Sequence, residues 1–437
     1  MLGKIKKIIF EKITSLYHFL ISELANIYFR FPSKKLIVIG VTGTKGKTTT
    51  THFIWSCLNS AGYKTGLLST NFIDDGERKF LNPYHMTMPG RFVLKSLLAK
   101  MVKAGCQFCV LETTSEGIKQ WRHKGIAFDI CVFTNLSPEH LPSHGWSFEN
   151  YKKTKGKIFA ALAKLPYKIF KGKKVPKTII VNADDQEADY FLSFKADKKF
   201  TFGKKEGVDF LISNVKMDQE GVEFFVNNIK YRIFLLGEFN VYNALPAIII
   251  SKMFEIPEEK IKEGLENIKL VPGRMEKIDV GQDFNVLVDY AHEAKSMNAL
   301  LDTINALKRK TAKIIVLLGA EGGGRDPTKR PAMGKIAAQK ADFIVVTNVD
   351  PYEEDPLKII EDIARAAEKA GKEREKNLFL IEDRRKAIRK ALSLAQKDDW
   401  VLITGKGAEQ SMIIKSKHIP WDDRKVVKEE LISLLKK

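Results

Sequence analysis

Residues 36–53, Leu-Ile-Val-Ile-Gly-Val-Thr-Gly-Thr-Lys-Gly-Lys-Thr-Thr-Thr-Thr-His-Phe, constrain this chain more than any other stretch. The apolar run from Leu36 to Ile39 predicts a buried strand. A glycine-rich turn follows from Gly40 to Gly46, and Lys47 and Thr48 open a helix. A strand, a glycine loop and a helix that starts Gly-Lys-Thr make a phosphate cradle. Loop N–H groups and the helix N-terminus point at the anion. Lys47 is expected to reach the β/γ-phosphates, and the Thr48 hydroxyl to hold Mg²⁺. Gly43, Thr44, Lys45, Gly46 and Thr49 fill out the nucleotide-binding segment. Strict spacing for such a loop asks for a glycine five residues before Gly46; Val41 stands there, flanked by Gly40 and Gly43.

A length of 437 residues implies two or three domains, and 44% hydrophobic residues supply a sizeable core. The formal charge of +20 favours anionic partners: nucleotides, nucleic acid or acidic lipid. The lysines are spread along the chain, so a solvated Lys-rich surface is the plainer account. Cys106 and Cys109 form a C-x-x-C that runs into an apolar strand, and no second pair completes a zinc site. All four cysteines read as buried thiols. No run is long and apolar enough to span a membrane, and the start of the chain is not a convincing signal peptide. A cytoplasmic protein is expected.

Residues 1–33 form the first segment. Leu2, Ile5, Ile9, Ile13, Leu16, Leu20, Leu24 and Ile27 recur at three- and four-residue steps, which predicts an amphipathic helix over 1–31. Lys4, Lys6, Lys7 and Lys12 charge its first turns. Such a helix either packs on the domain that follows or lies on an anionic membrane at the inner face. Residues 34–160 alternate apolar strands and helices, which implies a parallel sheet with crossover helices. Glu112 ends the strand Cys109-Val-Leu-Glu, where the ligand crevice of an open α/β sheet lies, so it is placed to bind Mg²⁺. Residues 175–236 alternate short strands and turns. Asn240 and Asn243, three apart at a helix start, face one side; capping is the plain alternative. A second α/β segment follows Gly273.

Thr42-Gly-Thr-x-Gly-Lys-Thr, with the motifs after it, resembles the Mur ligases, the ATP-dependent amide-forming enzymes of cell-wall precursor synthesis. The resemblance runs in order over residues 34–437. It fits best the branch that adds the third residue of the stem peptide, through Lys329-Arg-Pro-Ala-Met and Gly405-Lys-Gly-Ala-Glu409. It implies an α/β fold: a P-loop central domain with a parallel sheet (34–272), then a Rossmann-like C-terminal domain (273–437). It also implies two Mg²⁺ ions, with Thr48, Glu112, His140 and Lys155 as metal-site residues. Lys155 takes the place of a lysine that is carbamylated in these enzymes; an anionic carbamate oxygen suits a hard cation where an ammonium would be repelled.

Asn240 and Asn243 would lie near the adenine, Arg274 would reach the phosphates from the hinge Val271-Pro-Gly-Arg, and Asp289 and His292 match a nucleotide-contacting segment. Lys47, Lys155, His140 and Arg274 are thereby the catalytic candidates. Thr87, Ser115 and Arg122 fall on the side of the carboxyl substrate, while Asp350, Tyr352, Gly405 and Glu409 fall on the side of the incoming amino acid. The chain departs from the pattern at Met88, Glu116 and Glu139. Tyr352 stands where diaminopimelate-adding members carry an arginine. A phenol gives no bidentate charged clamp, so diaminopimelate is disfavoured. Asp350, Glu353 or Glu354 would favour a basic side chain such as lysine or ornithine.

These ligases usually carry an N-terminal domain that holds a UDP-sugar, whereas here the phosphate loop begins at Gly40. UDP is therefore held otherwise, or the carboxyl substrate is carried differently, for example on a lipid beside a membrane-lying helix. The expected function is ATP-dependent addition of an amino acid to a peptidoglycan-precursor peptide through an acyl phosphate. One alternative is a related ligase or amidating subunit on a lipid-linked precursor or another carboxylate. A folate polyglutamate ligase fits the C-terminal motifs poorly. A basic P-loop ATPase on nucleic acid is the remaining rival; no segment interleaves aromatic and basic residues, so nucleic acid is not expected.

Overall fold

A computed structural model describes residues 2–84, 86–139 and 141–436, with side chains described from Ile13 onward. The chain divides into two compact units. The first runs through Lys216 and adds Val222–Phe234 and Glu238–Lys269; the second holds Leu270–Lys437 with short pieces at 217–221 and 235–237.

The first unit opens with helix α1 (Leu2–Tyr28). Strand β1 (Ile37–Thr42) follows and is buried along its whole length, as a continuous apolar run requires when both sheet faces are covered. Then come α2 (Lys47–Ser60), β2 (Thr65–Leu68), α3 (Arg91–Lys103), β3 (Phe108–Glu112), α4 (Ser115–Lys119), β4 (Phe128–Phe133), α5 (Phe148–Leu162) and β5 (Thr178–Asn182). Their order in the sheet is β5-β4-β1-β3-β2, all parallel. β1 sits between β4 and β3, and Gly40 lets the Phe128 ring lie against it; a Cβ there would be 2.7 Å from the ring. Antiparallel strands Phe72–Asp74 and Lys79–Leu81 extend the β2 edge, and strands from Lys198 to Ile233 extend the other. A short helix at Ala188–Leu192 interrupts the region read from sequence as strands and turns only. Helix α6 (Phe239–Met253) packs on α2.

The crossovers place β3 on one side of β1 and β4 on the other. The crevice at such a switch point opens at the carboxyl ends of the strands. Thr42, Glu112 and Phe133 end those three strands, and the loops after them build the site.

The second unit is a six-stranded sheet. Strands β6 (Asn285–Asp289), β7 (Ile314–Leu318), β8 (Phe343–Val346), β9 (Leu378–Leu380) and β10 (Trp400–Thr404) run parallel in the order β6-β10-β7-β8-β9, and Glu276–Lys277 pairs antiparallel on β6. Two apolar layers cover its faces, one of them from helices Ala294–Leu307, Lys329–Lys340 and Pro356–Lys369. All four cysteines are buried and free. Among the described residues no helix is long and apolar enough to cross a membrane.

Candidate active site

The loop from Gly43 to Gly46 is held from outside itself. The Thr44 N–H donates to the Asn135 carbonyl (2.8 Å) and the Lys45 N–H to Asn135 Oδ1 (2.9 Å). Asn135 Nδ2 and Thr134 Oγ1 both donate to the Lys45 carbonyl, at 3.0 and 2.7 Å. Two glycines permit this. A Cβ on Gly43 would fall on Thr134 Oγ1, and one on Gly46, which turns at φ +81°, would fall on Asn243 Oδ1. β1 continues through Thr42, so the turn begins at Gly43; Val41 is a buried strand residue paired with Glu112 and Val132. That is why the stricter glycine spacing is absent. No side chain caps the start of α2, so the positive end of its dipole is left for an anion. Lys47 Nζ rests on the Thr44 carbonyl at 2.8 Å.

Behind the loop stands one carboxylate. Glu112, buried at the end of β3, accepts from the Thr48 hydroxyl at 3.1 and 3.0 Å. It also accepts from the Thr70 N–H (2.9 Å) and the Thr70 hydroxyl (3.0 Å). Thr70 Oγ1 in turn shares a proton with Thr87 Oγ1 at 2.8 Å. A relay of oxygens therefore joins the start of α2, the end of β3, the segment after β2 and the loop Met86-Thr-Met. Sequence reasoning missed Thr70, which follows β2 and carries no motif.

Lys155 reaches the same place from α5. It is 1% exposed, and its Nζ donates to the Gly43 carbonyl at 2.7 Å. Burial, and then the Lys47 ammonium, hold its amine well below the usual lysine range, against the opposing pull of Glu139 and Glu112. Glu139 pairs with Lys45 at 3.0 Å. His140, a metal and catalytic candidate, lies outside the described residues.

Among the residues expected on the side of the carboxyl substrate, Arg122 Nη1 donates to the carbonyl of the buried Met88. Arg122 Nη2 donates to Gln120 Oε1 at 2.6 Å. Burial lowers the pKa of this guanidinium. Ser115 is buried at the start of α4, after Thr114, whose hydroxyl accepts the Gly117 N–H at 3.1 Å. Glu116 accepts from Gln120 at 2.7 Å. Asn240 and Asn243 are buried in α6 and bonded to each other at 2.8 Å; α6 has no side-chain cap, so they do not serve as caps. Thr49 is buried in the first turn of α2.

The second unit gathers the remaining candidates. Arg274 lies over the Tyr290 ring, 4.6 Å from its centroid. Asp289 accepts from the Met275 and Ala291 N–H groups at 2.8 and 2.7 Å, and His292 Nδ1 meets the Tyr290 carbonyl at 2.7 Å. Glu409 accepts from the Tyr290 hydroxyl at 3.0 Å and pairs with Lys406 at 2.5 Å. Lys406 also holds Asp350 at 2.8 Å, and Asp350 accepts the Ile413 N–H at 2.7 Å. Burial works against the Lys406 ammonium, yet Glu409 and Asp350 raise its pKa above the usual value. Asp350 is thus already neutralised, which leaves little charge for attracting a basic side chain. Glu354 is likewise engaged by Arg330 at 2.7 Å.

Gly405 turns at φ +108° after β10, beside Val349. Tyr352, at φ +52°, packs against Gly323 and hydrogen-bonds Arg325. Arg325 also pairs with Glu321 at 3.2 Å. Glu321 is lowered to about 2: burial opposes the shift, but His292, Lys329 and Arg325 overcome it. Neither Glu321 nor Arg325 is singled out by the sequence, where each stands beside a run of three glycines, Gly322 to Gly324.

The comparisons agree with this geometry. Residues 41–251 match the Mur ligase middle domain, and residues 273–407 match the Mur ligase glutamate ligase domain. The UDP-N-acetylmuramoyl-L-alanyl-D-glutamate–2,6-diaminopimelate ligase of Geobacillus kaustophilus is 36% identical over 410 residues, 93% of this chain and 81% of that protein. The UDP-N-acetylmuramyl-tripeptide synthetase of Roseiflexus sp. is 36% identical over 424 residues, 95% of this chain and 82% of that protein. A solved UDP-N-acetylmuramoyl-L-alanyl-D-glutamate–2,6-diaminopimelate ligase superposes with a TM-score of 0.60 at 27% identity, over 92% of this chain and 79% of that one. With a relative this similar over nearly its whole length, the chain belongs to the Mur ligase family.

Proposed function

We propose that this chain is an ATP-dependent amide ligase that adds one amino acid to the peptide carboxylate of a peptidoglycan precursor of the UDP-N-acetylmuramoyl-dipeptide type. The observation that carries the reading is the relay Thr48–Glu112–Thr70–Thr87, which ties the phosphate cradle to the loop assigned to the carboxyl substrate.

The substrate carboxylate attacks the γ-phosphorus of ATP. An O–P bond forms, the bond to the β-γ bridging oxygen breaks, and ADP leaves. The incoming neutral amine then attacks the acyl phosphate carbon. A C–N bond forms, inorganic phosphate leaves with the C–O bond electrons, and the amine sheds a proton. Most of the acceleration is positioning and neutralisation of phosphate charge. The uncapped N–H groups at the start of α2 and Lys47 hold the triphosphate. Asn240 and Asn243 are assigned to the base, and Arg274, Asp289 and His292 are the nucleotide candidates that the second unit carries.

The oxygen donors at Thr48 and Glu112, with no side chain capping α2, fit a hard cation on a phosphate. His140 would join them. Mg²⁺ there supplies charge neutralisation. Burial, and then the Lys47 ammonium, shift Lys155 toward the neutral amine, the form that adds CO₂ to give a carbamate. Thr87, Ser115 and Arg122 orient the carboxyl substrate. Asp350, Tyr352, Gly405 and Glu409 shape the amino-acid end.

A second reading keeps the chemistry and places the carboxyl substrate on a lipid carrier. It is favoured by an exposed apolar row on α1.

The test is phosphate release from ATP with UDP-N-acetylmuramoyl-Ala-Glu and a panel of amino acids that includes lysine, ornithine and diaminopimelate. Release dependent on one amino acid is expected. Silence with the UDP-linked acceptor, together with release from a lipid-linked one, would select the second reading. Silence with both would overturn the proposal.

A further inference from the structure

Helix α1 has two unlike faces. One is docked: Ser22, Ala25 and Asn26 are buried, Asn26 donates to the Lys124 carbonyl at 3.0 Å, and Trp121 Nε1 donates to Ser15 at 2.9 Å. A Cβ on Gly125 would fall on the Asn26 side chain, so the helix seats closely there. The other face carries Ile13, Leu16, Leu20, Leu24 and Ile27, with Tyr17 and Tyr28 at its margin, each between 51 and 73% exposed.

At about 100° per residue these seven positions fall within an arc of about 120°, opposite the docked residues. The row is roughly 22 Å long at 1.5 Å per residue. It is too large and too ordered to be the scattered exposure normal for a protein surface.

Charge decides what covers it. Lys4, Lys6, Lys7 and Lys12 precede or flank the row in the sequence, and Arg30, Lys34 and Lys35 follow it, against Glu11 and Glu23. Two copies of this helix pairing through the row would bring lysines against lysines. An apolar stripe with basic ends and tyrosines at its edge matches instead the boundary between headgroups and acyl chains of an anionic bilayer.

We infer that α1 is a membrane-contact surface that lies along an anionic lipid bilayer without crossing it. Position adds a consequence. Trp121, bonded to α1, is followed by Arg122, which holds the Met88 carbonyl. The helix is therefore anchored next to the loop assigned to the carboxyl substrate. The membrane contact itself stands apart from the ligase chemistry.

The experiment is co-sedimentation of the full chain with vesicles of phosphatidylcholine and phosphatidylglycerol (about four to one) or of phosphatidylcholine alone. Binding to the anionic vesicles is expected, about tenfold stronger than to the neutral ones and weakened by high salt. Leu20→Glu combined with Leu24→Glu should lower binding about tenfold or more, with an unchanged thermal transition and unchanged binding of a non-hydrolysable ATP analogue. Two results would overturn the inference: wild-type chain left in the supernatant with both vesicles, or the double variant binding as well as wild type. A wild-type dimer that the double variant dissolves, with no vesicle binding, would assign the row to a second copy instead. Loss of phosphate release with vesicle binding intact would count against the ligase reading alone.

Discussion

Both units place polar groups at the carboxyl ends of a parallel sheet, but they handle charge in opposite ways. In the first unit, Glu112 is surrounded by hydroxyls and an N–H, and the nearby Lys155 is held toward its neutral form. Hydroxyls turn readily, so such a site waits for charge from outside. In the second unit the charges are already matched: Lys406 lies between Asp350 and Glu409, and Arg325 lies between Glu321 and Tyr352. Pre-paired charges of this kind fix geometry more than they attract. On the proposed function, the difference would separate a region that receives a polyanion with its cation from one that orients a smaller zwitterion.

The contrast breaks most sharply at Lys155. Lys155→Ala should cut turnover by roughly 10²–10³-fold, the usual scale for removing one electrostatic partner of a transition state. Formate or acetate should restore part of it. Turnover unchanged in steady-state phosphate release would remove the carbamate.

In the second unit the expected loss is of stability. Lys406→Ala leaves the buried Asp350 carboxylate without its cation, beside a partly exposed Glu409, and should cost about 3–5 kcal/mol in denaturant unfolding. A change below about 1 kcal/mol would mean that the pairs are solvated, and the contrast would fail.

Acid titration sharpens the same point. Glu321 sits at about 2 in the folded chain against an ordinary 4.5, so its contribution is full above 4.5 and is lost as pH falls toward 2. Glu321→Gln should flatten the acid limb of the stability curve between those values.

A smaller effect is expected at Thr70. Thr70→Val removes one hydroxyl from the relay and should lower turnover roughly tenfold while costing about 1 kcal/mol of stability. Equal turnover would show that the relay is packing alone.

What the sequence made legible was local. A continuous apolar strand, a glycine turn and Gly-Lys-Thr specify β1, its loop and the start of α2 within a dozen residues. Leu36–Ile39 is expected to be a buried strand from its apolar run, and Ile37–Thr42 forms one. The polar partners were harder, because they meet across long separations. Asn135 pins a loop ninety residues before it, and Lys406 finds Asp350 from the loop after β10. In a Lys-rich helix nothing local distinguishes Lys155 from its solvated neighbours; only the packing of α5 against β4 turns it inward. Asp350 shows the same limit from the other side: its partner Lys406 lies fifty-six residues later, and nothing local in the sequence pairs them.

One wall of the phosphate loop has an implication for the order of assembly. The space beside Gly46 is filled by Asn243, on a helix that ends at Met253. A chain emerging residue by residue can form β1 and α2 early, but the loop lacks that wall until α6 has been made and docked. Competence to hold a nucleotide is thus acquired late, after more than half of the polypeptide exists, and a nascent chain shorter than that offers the cell a P-loop sequence without a finished phosphate site.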